Sequence, residues 1–140
     1  NYNLNNDLNN SLINYKEIGK QFLENYYRIY DKNCKILFNI YTQNAKLTFQ
    51  NIEYLGIDRI KNKYITMNLT RPKHKIFTYD IQPIDITKVY IVVTGSFENS
   101  IESQITSFGN YTKVFNFIES FLIENINNKW YIRNHIFRIV

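Results

Sequence analysis

The chain has few of the residues that build cross-linked or metal-bound domains. Cys34 is its only cysteine among 140 residues, so no intramolecular disulfide can form. The two histidines, His74 and His135, lie far apart and give no zinc-site spacing with that cysteine. The four glycines form neither a phosphate-binding loop nor a nucleophile elbow. The sequence therefore predicts no metal and no cofactor.

Long apolar and long basic runs are also lacking. No segment has the length and apolar content of a membrane span, and no signal-peptide pattern is present. We therefore expect a soluble, intracellular protein without a membrane partner. Seventeen basic residues against twelve acidic ones give a net charge of +5, but the charges are scattered, so direct nucleic-acid binding is not expected. The densest basic group, around Arg71 and Lys75, is interpreted as a solvated loop, with a polyanion or partner contact as the alternative.

The length and composition suit one folded domain. Hydrophobic residues make up 44% of the chain and charged residues 21%, which is ordinary for a domain that buries its own core. Residues 1–10 are polar and rich in asparagine, so we predict a flexible leader there. The folded domain is then expected to span residues 11–140.

Three helices are predicted in the first half of the chain. Ser11 is a candidate N-cap for a helix that runs toward Tyr30. Its apolar residues recur at three- and four-residue spacing and form one stripe; they are Ile18, Phe22, Tyr26, Ile29 and Tyr30. A short second helix is expected near residues 36–41, and a third near residues 57–67.

The rest of the pattern predicts strands. A short hairpin is expected at residues 46–49 and 52–55, followed by four strands at residues 76–82, 89–97, 113–126 and 129–140. Asn127 and Asn128 suit the tight turn between the last two strands, because asparagine tolerates positive φ. Helices followed by antiparallel strands indicate an α+β fold. We expect a cone in which three N-terminal helices pack on a strongly curved, mainly antiparallel sheet.

One face of this sheet is expected to remain uncovered by helices. Alternate residues of the strand at 113–126 are apolar, among them Phe115, Phe117 and Phe121. An exposed apolar face of that size normally marks a dimer or partner interface. We therefore predict a dimer through the sheet, with Arg138 placed at the sheet edge.

Several fragments, in this order along the chain, resemble the nuclear transport factor 2 family. They are Ile18–Tyr27, Leu47–Phe49, Leu55-Gly56, Asp80-Ile-Gln-Pro83, Val93-Thr-Gly95 and the Asn-His-Ile-Phe-Arg ending at Arg138. The resemblance covers Tyr15 to Arg138. It implies the family's cone-shaped fold and a non-enzymatic transport factor that moves between cytoplasm and nucleus through the nuclear pore.

The resemblance also implies which residues bind partners. In the family's import factor, the mouth of the cone binds Ran-GDP, and a groove on the first helix binds phenylalanine-glycine (FG) repeats of nucleoporins. Phe49 would be the aromatic anchor of the mouth and Tyr15 the aromatic residue of the groove. The other mouth positions would be Gln50, Leu69, Pro72, His74, Glu98 and Glu102, with Glu119 as a further carboxylate. At Gln50 the family has an acidic residue that pairs with a lysine of Ran. Arg138 could clamp a carboxylate of the dimer partner.

Alternative functions remain open on the same fold. The chain is also similar to the small cofactor that forms a heterodimer with the messenger-RNA export receptor and does not need Ran. The dimerisation module of stress-granule scaffolds ends in a similar motif. More remotely, the fold houses small-molecule isomerases and dehydratases, for which His74 and Asp80 would be the candidate pair.

Overall fold

The computed structural model describes residues 3–101 and 111–140, with side chains for residues 14–99 and 113–140. Over these residues the chain forms two α-helices, one 3-10 helix and six strands. Their order is α1 (Asn3–Asn33), the 3-10 helix (Cys34–Ile40), β1 (Tyr41–Phe49), β2 (Ile52–Leu55), α2 (Ile57–Thr66), β3 (Lys73–Asp85), β4 (Lys88–Ile101), β5 (Tyr111–Ile126) and β6 (Lys129–Ile139). None of the described helices is both long and apolar enough to cross a membrane.

Helix α1 buries the stripe that its spacing predicts. Phe22, Tyr26 and Tyr30 are all less than 8% exposed and face the sheet. The helix begins at Asn3, ahead of Ser11, so the prediction that Ser11 caps its start is wrong. Leucines at positions 4, 8 and 12 continue the four-residue spacing and are the sequence signal for the longer helix.

The second predicted helix is a 3-10 helix, so the expected count of three N-terminal α-helices is wrong. Asn33 interrupts the α-helical pattern, and its side chain caps the new helix by accepting a hydrogen bond from the Lys35 backbone nitrogen at 3.2 Å. Short connectors of this kind commonly adopt 3-10 geometry. The third predicted helix is α2, which lies after the β1–β2 hairpin. The main expectation, an α+β fold with helices on a mainly antiparallel sheet, is confirmed.

The six strands form one sheet in the order β2-β1-β6-β5-β4-β3. Strands β1 and β6 pair in parallel, whereas every other neighbouring pair is antiparallel. Asn127 and Asn128 have φ values of 51° and 64° and form the tight turn between β5 and β6, as predicted. The β1–β2 turn uses the same device at Gln50 and Asn51, whose φ values are 49° and 72°.

The inner face of β5 is the face that the sequence analysis expected to be exposed. Phe117 and Phe121 are fully buried, and the Phe121 ring lies 4.8 Å from Tyr26 of α1. The prediction that they belong to an uncovered sheet face is therefore wrong; Phe115 shares their side of the strand and is half-buried. Both sides of β5 carry apolar residues, so alternation alone does not say which side the helices cover.

The outer face of the sheet is apolar as well, but with different residues. Tyr90, Ile118 and Ile136 are 38%, 39% and 52% exposed there. Arg138 lies opposite Ile118 in the β5–β6 register and is exposed on this outer face. Strand β6 lies between β1 and β5, so the expected position of Arg138 at the sheet edge is wrong. We call this exposed side of the sheet, defined by Tyr90, Ile118, Ile136 and Arg138, the outer face.

Candidate functional site

Phe49 is the last residue of β1. We call the surface that it forms with Gln50 and Lys63 the open end, after the position that the family resemblance gives to the mouth of the cone. The Phe49 ring is half-buried and stacks on Phe137 of β6, with centroids 4.7 Å apart and planes inclined by 10°. Leu69 is half-buried against the same core. The open end therefore has an apolar surface to which Phe49 contributes a rigid aromatic ring.

Gln50 is held by the backbone of β6. The backbone nitrogen of Gln50 donates a hydrogen bond to the Phe137 carbonyl at 3.0 Å. Its side-chain Oε1 accepts a hydrogen bond from the Ile139 backbone nitrogen at 2.6 Å. This amide fixes the β1–β2 turn against the end of β6. The side chain beside the rim aromatic is therefore neutral and already engaged.

Lys63 of α2 reaches the same end of the cone. Its Nζ lies 4.0 Å from the centre of the Phe49 ring and 5.4 Å from that of Tyr54. Burial of the ammonium group lowers the pKa of Lys63 below its ordinary value. A positive charge thus lies directly on the ring that the sequence analysis takes as the anchor.

His74 is a buried link rather than an exposed rim residue. Its Nδ1 lies 2.6 Å from Asp31 Oδ1, and its backbone nitrogen donates to Asp31 Oδ2 at 3.0 Å. The side chain is 3% exposed, and its ring is surrounded by the rings of Tyr27, Tyr30 and Phe97 at 4.6–4.8 Å. The interaction ties the end of α1 to the start of β3, so the predicted rim position of His74 is wrong.

The remote catalytic pairing of His74 with Asp80 is also wrong. Asp80 is exposed and pairs in register with Val92 of β4, whereas the His74 ring points inward onto Asp31. The sequence could not indicate Asp31 as the partner, because 43 positions separate it from His74.

A chain of polar side chains crosses the interior of the cone. His135 Nε2 lies 2.6 Å from Glu119 Oε2, and His135 Nδ1 lies 2.8 Å from the Tyr41 hydroxyl. The Tyr41 hydroxyl is in turn 2.6 Å from that of Tyr64, and Tyr27 donates to Glu119 Oε1. We call these five residues the interior polar chain; all are less than 8% exposed.

The interior polar chain satisfies its own hydrogen bonds. Among the described side chains, no buried nitrogen or oxygen lacks a partner. Burial raises the pKa of Tyr27, Tyr41 and Tyr64 above the ordinary value for tyrosine. Glu119 is 2% exposed, so the expectation that it substitutes for a rim carboxylate is wrong.

Tyr15 lies on α1 between two open grooves. One has a volume of about 740 Å³ and runs along α1 and residues 79–82 of β3. The other, of about 270 Å³, reaches Ile18, Ile86 and Trp130. Gly19 permits this close approach of α1 to β3, because a Cβ there would lie 2.7 Å from Ile81 Cδ1. Tyr15 is therefore a half-buried aromatic residue with space on both sides.

Comparison with known proteins identifies the family. The model of the nuclear transport factor 2 (NTF2) domain matches residues 18–139. The chain belongs to the nuclear transport factor 2 family. Nuclear transport factor 2 of Schizosaccharomyces pombe is 28% identical over 129 residues, which cover 91% of this chain and 98% of that protein.

Solved structures agree with this assignment. Nuclear transport factor 2 from Cryptosporidium parvum has a TM-score of 0.77 and 26% identity, and the match covers 91% of this chain and 95% of that one. A protein from Novosphingobium aromaticivorans that is assigned as a scytalone dehydratase has a TM-score of 0.79 at 10% identity, covering 94% of this chain and 88% of that one. The second likeness shows the fold alone.

Family membership confirms the resemblance on which the site predictions rest, but the structure brings only some of the predicted residues together. Phe49 and Gln50 adjoin at the end of β1, Leu69 packs against the same core as Phe49, and Pro72 is half-buried. Glu98 is half-buried and pairs in register with Lys73 of β3. Glu102 lies outside the described residues.

Lys63 and the interior partners of His135 are not predicted from the sequence. Lys63 carries a local signal, because it falls on the inward side of α2, three residues after the buried Ile60. The pairing of His135 with Glu119 depends on the β5–β6 register, which places Phe121 rather than Glu119 opposite His135. No group of three potential metal ligands occurs in the part of the chain that the structure describes.

Proposed function

We propose that this chain is a non-enzymatic nucleocytoplasmic transport factor. It acts as a dimer through the outer face of the sheet, binds nucleoporin FG repeats beside Tyr15, and receives protein cargo at the open end of the cone around Phe49. The protein would then occupy the cytoplasm, the nucleus and the nuclear pore. The name shared by its relatives, nuclear transport factor 2, supports the transport role.

The observation that carries the FG-repeat proposal is the position of Tyr15 between two grooves. A phenylalanine side chain needs an apolar recess with an aromatic wall, and the neighbouring Ile18, Ile81 and Trp130 supply apolar surface on either side. Affinity for such repeats is expected to be weak, because only one ring is buried at each contact.

Binding of an FG-repeat peptide tests this proposal directly. We expect a fluorescein-labelled peptide with several FG repeats to bind the wild-type chain, and Tyr15→Ala to weaken binding about tenfold or more, or about 1.4 kcal/mol. Phe77→Ala is the matched control, because Phe77 is 53% exposed and lines neither groove. If both variants lose affinity for the peptide equally, or if neither loses any, Tyr15 is not part of the FG-repeat site.

The interior polar chain supports a non-enzymatic role. A general acid or base must reach a substrate, yet Glu119, His135 and Tyr41 are buried and bonded to one another. These side chains are instead engaged in holding the strands and helices together.

Ran-GDP is the leading candidate for the cargo at the open end. Phe49 supplies the aromatic surface that an inserted side chain needs. Titration calorimetry against Ran loaded with GDP and then with GTP is the test, and we expect binding of the GDP form alone. If a folded sample gives no heat of binding with either form, Ran is not the cargo.

Gln50 favours a second candidate, the heterodimeric cofactor of the messenger-RNA export receptor. Its neutral side chain, bound to the Ile139 nitrogen, offers no charge for a lysine of Ran, and that cofactor needs no Ran. Sedimentation distinguishes the two roles. A homodimer at micromolar concentration supports the import-type carrier, whereas a chain that dimerises only with a receptor supports the cofactor.

A further inference from the structure

The charge on Lys63 has no counter-ion among the described residues. The ion pairs there are His74–Asp31, Lys88–Asp85, Arg133–Glu124 and His135–Glu119. Lys63 takes part in none of them, and its Nζ lies over the faces of the Phe49 and Tyr54 rings. A half-buried ammonium group without a carboxylate partner is therefore placed at the open end of the cone.

Burial makes this charge a stronger attractor than a surface lysine. A partly desolvated ammonium group has lost some of its hydration, as the lowered pKa of Lys63 reflects. The aromatic faces replace only part of that hydration. A carboxylate that contacts Nζ would replace the rest of the lost hydration. The low local dielectric would strengthen this ionic contact.

The neighbouring side chains do not favour a positive partner. Gln50 is neutral and bound to β6, and Asp31 is engaged by His74. Lys73 and Lys75 of β3 flank the inward-pointing His74 and therefore face the other side of the sheet, where Lys73 pairs in register with Glu98. Among the described residues, the charge that lies against the Phe49 ring is thus that of Lys63, which is complementary to a carboxylate.

We propose that the open end of the cone binds an acidic protein segment that places a carboxylate on Lys63 while an adjacent apolar side chain packs against Phe49. The inference rests on the proposed cargo role of this end and specifies the chemistry of the cargo. If Ran-GDP is the cargo, an acidic segment of Ran would contact Lys63, in place of the lysine that the family's acidic rim residue pairs with. The carboxylate supplies specificity and the ring supplies contact area.

Two capped pentapeptides test the proposal. In one, a phenylalanine is flanked by two glutamates; in the other, the flanking residues are lysines. Both are titrated into the ¹⁵N-labelled Tyr15→Ala variant, which removes the expected FG-repeat contact, and binding is followed by NMR. We expect the glutamate peptide to bind about tenfold more tightly than the lysine peptide, with shifts at Phe49, Lys63 and Leu69.

Substitutions on α2 then assign the preference to one side chain. Lys63→Met is expected to abolish the preference for the glutamate peptide, and Lys63→Arg to keep it, because arginine retains the charge. Lys61→Met is the matched control. The Nζ of Lys61 also lies over an aromatic ring, 4.8 Å from the centre of Phe38, but Lys61 is exposed. Retention of the preference in Lys63→Met, or its loss in Lys61→Met, would overturn the proposal.

The outcomes separate this inference from the transport role. Equal binding of both peptides at the open end overturns the acidic-cargo inference and leaves the cargo role intact. No binding of either peptide overturns the inference as well, while FG-repeat binding by the wild-type chain is measured independently and decides the transport role.

Discussion

The interior polar chain and the open end of the cone use ionisable groups in opposite ways. In the interior, Glu119 and His135 are each about 2% exposed, and every buried side-chain nitrogen and oxygen among the described residues has a partner. At the open end, Lys63 is only half-buried and lies on aromatic faces with no described carboxylate within 4.0 Å. The interior interactions are complete within one chain, whereas the open end is left for another molecule to complete.

This difference separates residues that serve the fold from residues that serve binding. A buried charge with its partner in the same chain fixes the relative position of strands and helices, and losing one member exposes the other to an apolar interior. A half-buried charge without a partner contributes little to the fold, and its interaction becomes strong only when a ligand excludes water. Substitutions in the two regions should therefore differ both in size and in what they affect.

The largest effect is expected from breaking the interior pair. Glu119→Ala leaves His135 and Tyr27 without their acceptor in the core and should lower the free energy of unfolding by about 3–5 kcal/mol. Urea denaturation of the purified chain measures this change.

Glu124→Ala is the matched control on the same strand. Its carboxylate lies 3.6 Å from Arg133 Nη1, whose side chain is 51% exposed, so we expect a loss below about 1 kcal/mol. If the two variants lose equal stability, the distinction between complete interior and exposed pairs fails.

The interior should also make the fold sensitive to alkali. Burial raises the pKa of five tyrosines; they are Tyr26, Tyr27, Tyr30, Tyr41 and Tyr64. Above pH ~10 the unfolded chain loses these protons while the folded chain keeps them, so the folded state binds more protons and stability falls as pH rises. Each tyrosine contributes up to about 1.4 kcal/mol per pH unit.

Tyr41→Phe tests this sign. The substitution removes one ionisable hydroxyl from the interior, so the decline of unfolding free energy between pH 10 and 11 should become shallower. Tyr79→Phe, at a 44% exposed position, gives the reference profile. A slope that is the same in Tyr41→Phe and wild type would show that the interior tyrosines ionise without unfolding.

The sequence predicted the interior and the open end unequally. Local signals were sufficient for the Asn127-Asn128 turn, for the apolar stripe of α1 and for the fragments that carry the family resemblance. These features depend on residues that are neighbours in sequence or lie on one face of one element. The α+β fold follows from them, because the order of elements restricts the topology.

The polar contacts required information that one sequence does not contain. His74 was placed on an exposed rim, because its lysine neighbours suggest a loop, whereas its partner Asp31 lies on another element. Phe117 and Phe121 were placed on the wrong face, because β5 is apolar on both sides and only the position of α1 distinguishes them. Such contacts are fixed by register and by the packing of α1.

Removing the aromatic ring of the open end should have a moderate effect on stability and a large one on binding. Phe49→Ala removes the stacking contact with Phe137. Because Phe49 is only half-buried, we expect the free energy of unfolding to fall by about 1–2 kcal/mol. Cargo binding should be lost. Phe38→Ala, which removes the half-buried ring beneath Lys61, is the control. Cargo binding that survives Phe49→Ala would remove this ring from the site.

The smallest effect on stability is expected at Lys63, and its sign is the useful quantity. The pKa of Lys63 is lowered by burial, so between that value and the unfolded value of about 10.4 the unfolded chain binds the additional proton. Stability then rises with pH in that window, the opposite of the tyrosine effect. In Lys63→Met this rise should be absent. The free energy of unfolding of the wild type should therefore increase relative to that of the variant by less than about 1.4 kcal/mol per pH unit. Urea denaturation of both proteins from pH 7 to 10 measures the difference. A change in the opposite direction would mean that Phe49 and Tyr54 stabilise the ammonium group more than burial destabilises it, and the open end would then resemble the interior in needing no partner.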